Sequence, residues 1–171
     1  VFFTSTDPLA TVPLQYTFVP ADNGAHTFTD GVAFRQAGSR TVTATDLAQT
    51  TVTGTSAPVT VTPTALAFLD VTGPASAQAG VAFSVTVAAK DTFFNTVPTY
   101  GGTITFTAPL DLANPVLPAP YVFVPATDQG VHVFSGGVTL FTAGTQVVAV
   151  EDQNLLPGAL TVTVSAGAGT T

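Results

Sequence analysis

The chain has 171 residues, of which 46% are hydrophobic and 8% charged, with a net charge of −7 and no cysteine. This length allows one large domain or two small ones, and the internal repeat that begins at Tyr16 and again at Tyr121 favours two. The lack of Cys excludes a disulfide framework or thiolate metal site, and Arg35, Arg40 and Lys90 as the only fixed cations exclude the basic footprint that nucleic acid requires. No apolar run reaches the ~20 residues needed to cross a bilayer, and no basic, then apolar leader opens the chain, so it reads as a mature or trimmed product with no membrane span.

Abundant Gly, Pro, Thr and Val predict short strands joined by tight turns, with almost no helix. The first element is "VFFTSTDP", from Val1. Next comes "YTFVPADNGAHTFTDGVAFRQAGSRTVTATD", from Tyr16, in which "HTFTDGVAF" and "RTVTATD" alternate with period two. With "PVTVTP" they place Val42, Ala44, Val59 and Val61 on one face and Thr on the other. Outward Thr41, Thr43, Thr45, Thr161 and Thr163 suit strands through their β-branching, and they are also candidates for O-linked sugars. No Asn-x-Ser/Thr sequon is present.

A second copy begins at Tyr121 as "YVFVPATDQGVHVFSGGVTLFTAGTQVVAVED". It pairs Phe18 with Phe123, Gly24 with Gly130, His26 with His132, Phe28 with Phe134, Gly38 with Gly144 and Asp46 with Asp152, after a single inserted residue. Seven strands are predicted through this copy: around Leu66–Val71, Phe83–Ala89, Thr103–Thr107, Tyr121–Val124, His132–Phe141, Thr145–Val150 and Ala159–Ser165. Turn signals such as "DNG", "TDQG", "LPG" and "GPA" separate the elements. The expected architecture is all-β: two tandem immunoglobulin-like Greek-key sandwiches over residues 1–62 and 63–165, then a flexible tail, 166–171.

The first copy opens at the counterpart of "ITFTAPLD" and has nothing to match residues 66–89, so it is expected to hold five strands of seven. A sandwich lacking two strands exposes inner-face side chains and open sheet edges, which invites pairing with another chain. Either those strands precede residue 1 in a longer chain, or a neighbouring subunit supplies them. The residues expected to carry assembly are Val1, Phe2, Phe3, Phe28, Val42 and Val59.

The stretches "AGVAFSVTVAAKDTFFNTVP", "GGTITFT" and "TAGTQVVAVED" with its partner "AGSRTVTATD" resemble the tandem immunoglobulin-like repeats of large bacterial surface proteins, the broad group of invasin-like adhesin stalks and filamin-like modules. Where related repeats carry Gly before Asn, this chain carries Phe94 before Asn95. The resemblance implies an extracellular, elongated, non-enzymatic protein of the bacterial surface.

Catalytic material is sparse. His26 and His132 recur at equivalent strand starts, which points to a structural role, bonding nearby backbone. In a seven-strand sandwich, Asp91, Asp128, Glu151 and Asp152 would share one pole, with Asp22 and Asp46 as partial equivalents; such carboxylates would suit Ca²⁺, or else simply cap their own turns. Phe93, Phe94 and Tyr100 around one turn would suit a surface glycan, or core packing. The leading expectation is a structural subunit of an extracellular filament or stalk, a homopolymer in which a neighbouring copy completes the first sandwich. The alternatives are an adhesin module that binds glycan and a passive spacer from a longer array. No enzyme activity is expected.

Overall fold

The structure is a computed structural model that describes residues 1–167. The end of the expected tail, from residue 168, lies outside the described residues. The described chain is strand and loop apart from two single helical turns, and it divides into two units, Val1–Pro63 and Thr64–Thr171.

In the first unit, β1 (Phe2–Ser5), β3 (Val42–Thr45) and β4 (Thr53–Thr55) form one sheet in the order β1-β3-β4. The short strands β2 (Gly38–Arg40) and β5 (Val59–Val61) pair separately. The alternating "RTVTATD" and "PVTVTP" stretches thus do pair, but each ladder is interrupted. Gly54 to Val59 spans one residue more than the equivalent Gly158 to Val162, and Pro58 supplies no N–H. The chain absorbs the surplus as an irregular step in which Ser56 donates its N–H to the Val42 carbonyl at 2.9 Å and accepts the Val42 N–H on its hydroxyl at 3.1 Å.

In the second unit, β6 (Phe68–Thr72), β8 (Phe83–Lys90) and β11 (Val131–Val138) form one sheet, ordered β11-β8-β6. The other contains β7 (Ser76–Gln78), β9 (Thr103–Thr107), β10 (Tyr121–Val122), β12 (Gly144–Asp152) and β13 (Pro157–Ser165), ordered β10-β9-β12-β13-β7. Inward residues of both sheets, including Val85, Val87, Ile104, Val148, Val150 and Val162, are buried in one core. Strand β7 was not anticipated. Its three residues follow the "GPA" turn and pair in parallel with β13 through Thr163–Ser165, too short a run to carry an alternation signal.

The two copies differ most where their sequences agree. Val131–Phe134 forms a ladder with β8, His132 opposite Val87 and Phe134 opposite Val85. The equivalent residues 25–28, expected as a strand, are not one, and the stretch to Phe34 makes only an isolated bridge between Thr11 and Ala33. Tyr16–Val19 likewise forms no strand, although the Tyr16 N–H still donates to the Val1 carbonyl at 2.9 Å. A strand requires a hydrogen-bonded partner, and the first unit has no counterpart of β8 to pair residues 25–28; Tyr16 does have one, since its carbonyl also accepts the Val1 amino group at 2.6 Å, but the pairing goes no further.

Candidate functional site

The register of the first unit sets which side chains share its open face. Phe3 lies opposite Ala44, and Ser5 opposite Val42, so alternation puts Val1, Phe3, Val42 and Ala44 on one side of the sheet; Arg40 opposite Val59 and Gly38 opposite Val61 continue it. Phe2 lies opposite Thr45, on the other side of the sheet from Phe3. Thr45, expected to point outward, is buried.

The same face in the second unit is core. Val162 and Phe123 are 0% and 1% exposed, whereas their equivalents Val59 and Phe18 are 47% and 45% exposed. Among the described residues, every buried apolar side chain belongs to the second unit, and the first buries only Asp7 and Thr45. The glycines record the same vacancy. A Cβ on Gly130 would lie 2.4 Å from the Val97 carbonyl oxygen, and one on Gly158 2.3 Å from that of Leu69; on the equivalent Gly24 and Gly54 it would meet nothing within 4 Å.

The open face nevertheless keeps the internal geometry of a closed one. Phe3 meets Phe28 edge-on at 4.9 Å and 74°, matching Phe106 and Phe134 at 4.8 Å and 74°. Tyr16 lies over His26 at 3.9 Å, and Tyr121 over His132 at 4.0 Å. An aspartate pins each cluster. Asp22 accepts from the Tyr16 hydroxyl at 2.9 Å, the Val19 N–H at 2.8 Å and His26 Nδ1 at 3.2 Å. Asp128 accepts from Tyr121 at 3.1 Å, Val124 at 2.6 Å and His132 Nδ1 at 2.9 Å. Since an ionised carboxylate only accepts, Nδ1 carries the proton in both histidines, whose partner is this side chain rather than the backbone expected.

The single inserted residue is absorbed in the turn. Pro20–Asp22 is a 3₁₀ turn, in which Asp22 N–H reaches back three residues to Val19; Pro125–Asp128 is an α turn, in which Asp128 reaches back four to Val124. Either way the aspartate stands four residues before its histidine. The Val19 N–H lowers the pKa of Asp22 despite its partial desolvation, and the hydroxyl and imidazole add to the effect. Burial pushes Asp128 up, but the Val124 N–H, His132 and Tyr121 outweigh it. Both tyrosines are raised by burial and by their aspartate.

The acids proposed for calcium have other partners. Asp91 accepts five hydrogen bonds, from the N–H groups of Thr64, Phe93 and Asn95, the Thr64 hydroxyl and the Asn95 amide, at 2.8–3.3 Å. Burial raises its pKa, but those donors prevail and hold it at about 2. Asp152 accepts from Asn154 and Leu156, Asp46 from Ala48 and Gln49, and Glu151 is exposed. Among the described residues, no group of three or more His, Cys, Asp or Glu is placed to hold a metal ion. The geometry gives Asp91, Asp152 and Asp46 a turn-capping role.

Sequence reasoning passed over another pair of acids. Buried Asp7 accepts the N–H groups of Leu9, Arg35 and Gln36, and Asp111 those of Ala113, Phe141 and Thr142, so each fastens a loop to the start of the ladder beside it. Their placement after "FTST" and "FTAPL" was the available signal. The aromatic trio also separates. Tyr100 is buried, with its hydroxyl lacking a partner, while Phe94 is 71% exposed in the left-handed region at φ +64 and touches Phe68 edge-on.

No protein-family model matches the chain, and no curated protein matches it either. No helix among the described residues is long and apolar enough to cross a membrane.

Proposed function

We propose that the chain is a non-catalytic structural subunit of an extracellular filament or stalk of the bacterial surface, in which a neighbouring copy completes the open face of the first unit by adding strands. The observation that carries this reading is the contrast between equivalent residues: Val42, Val59, Phe18 and Phe28 occupy core positions of the repeat yet stand half-buried or exposed. Burying a Val or Phe side chain contributes about 1.5–3 kcal/mol, so a partly wet face of this size costs several kcal/mol that a partner recovers. The sheet orders of the second unit, with β7 parallel to β13, support the immunoglobulin-like reading of the repeat. Contacts that join one end of a subunit to a different surface of the next do not close, which favours fibres over rings.

Electron microscopy of the purified native material tests this. Regular filaments of intact 171-residue subunits support it; dispersed monomers, or one far longer polypeptide, overturn it in favour of a passive spacer.

A further inference from the structure

The two units hold nearly identical aromatic clusters, and the cluster of the second unit is covered by β8, which has no counterpart in the first. The second unit therefore specifies what the first would accept. Against Tyr121, His132 and Phe134, β8 presents Val85, Val87 and Ala89, all buried, and it turns Ser84 and Thr86 to the other side. The Ala89 N–H donates to the Gly130 carbonyl at 2.8 Å. Alternation along an antiparallel ladder then makes Val87 with His132, and Val85 with Phe134, the hydrogen-bonded pairs. By equivalence, the N–H groups of His26 and Phe28 and the His26 C=O face the open side, those of Ala25 and Thr27 do not, and the Phe28 C=O accepts the Gly31 N–H at 3.2 Å.

We propose that residues 24–28 and the aromatic cluster beneath them form an acceptor groove for one extended strand with the chemistry of Phe83–Lys90, supplied in trans by a neighbouring subunit. The strand runs antiparallel to residues 24–28 and places small β-branched or Ala side chains inward over His26 and Phe28, with Thr or Ser outward. This deepens the assembly reading above, on which it rests for the source of the strand, and it fixes the register and the side-chain pattern.

Three features of the first unit select this occupant. Gly24, at φ +84 with open space where a Cβ would stand, leaves room for the close backbone approach that Gly130 makes to Val97. Phe28 keeps its edge-on contacts with Phe3 and Tyr16 without a covering strand, so the floor is preorganised. The β8 residues that face the counterpart ladder are Val85, Val87 and Ala89, so a strand seated in the same register places small side chains there. Main-chain bonds thus give affinity, and the alternate small side chains give selectivity.

The test uses the full chain and a synthetic peptide spanning residues 81–91 of this sequence, followed by residue-resolved amide exchange. The expected result is that the peptide slows exchange at His26 and Phe28 by at least about tenfold and leaves Thr27 unchanged, while β11 of the second unit stays as it was. A control peptide carrying Val85→Asp and Val87→Asp should give no protection. No protection at saturating peptide, protection at Thr27 in place of its neighbours, or equal protection by the control would each overturn the proposal. The outcomes separate the two claims: filaments without peptide protection leave the assembly reading standing and remove this groove, and protection in a chain that never self-associates does the reverse.

Discussion

Truncating Phe134 and Phe28 to alanine sets the two faces against each other with the chemistry held constant. Both rings make the same neighbour contacts within their clusters: Phe134 with Phe106, Tyr121 and His132 at 4.8, 5.4 and 4.7 Å, and Phe28 with Phe3, Tyr16 and His26 at 4.9, 5.4 and 4.8 Å. What differs is the roof. Phe134 is buried beneath β8, and removing it leaves a cavity among fixed neighbours, at a cost of about 3–4 kcal/mol. Phe28 is half-buried, water already reaches it, and its loss forfeits chiefly ring-edge contacts, about 1 kcal/mol. Urea titrations followed by resolved amide signals of each unit would report the two separately. With a slope near 1.5 kcal/mol per molar, Phe134→Ala lowers the midpoint of the second unit by about 2 M, and Phe28→Ala that of the first by under about 1 M. Equal losses of about 3 kcal/mol in both units would refute the view that the first face is open.

Acid should weaken the second unit between pH about 4 and about 2. Asp91 has its folded pKa depressed to about 2 against an ordinary value near 3.9, so the stability it contributes is complete above the higher value and is lost as pH falls through the lower; thermal melts across that range that stay flat would contradict this. Gly130→Ala should cost the second unit more than Gly24→Ala costs the first, by about 2 kcal/mol or more, because both residues sit at positive φ but only Gly130 abuts a carbonyl oxygen; paired denaturation curves decide it. Tyr100→Phe should be neutral or stabilising by up to about 1 kcal/mol, since it removes a buried hydroxyl that has no partner, and a clear loss of stability would place a hydrogen bond there. Burial, with Asp152 nearby, pushes that hydroxyl up to about 12, so it stays protonated at any physiological pH.

Much of the second unit was legible because its signals were local. Period-two runs of Val and Thr marked β8, β9, β12 and β13 to within two residues, and the paired Gly turns fixed where they ended. The first unit was legible as a deficit but not as a shape. The run "HTFTDGVAF" carries the same alternation as its counterpart, but alternation reports which side chains share a face and is silent on whether a partner strand exists. The pinning role of Asp22 and Asp128 was also out of reach. It depends on a turn that changes from 3₁₀ to α type to accommodate one residue, which makes two sequence spacings equivalent in space. Asp91 and Asp152 bond within their own turns, to donors two to four residues away and, for Asp91, also to Thr64, a local satisfaction that a spacing argument does not reveal.

The most direct measurement is amide hydrogen exchange on the dilute, unassembled chain, comparing Phe28 with Phe134 and His26 with His132. An open first face predicts that His26 and Phe28 exchange at nearly the rate of unstructured backbone, while His132 and Phe134, bonded to β8, are slowed by at least about a thousandfold. Matching protection in the two pairs would mean that the first unit closes without a partner, and the assembly account would fall.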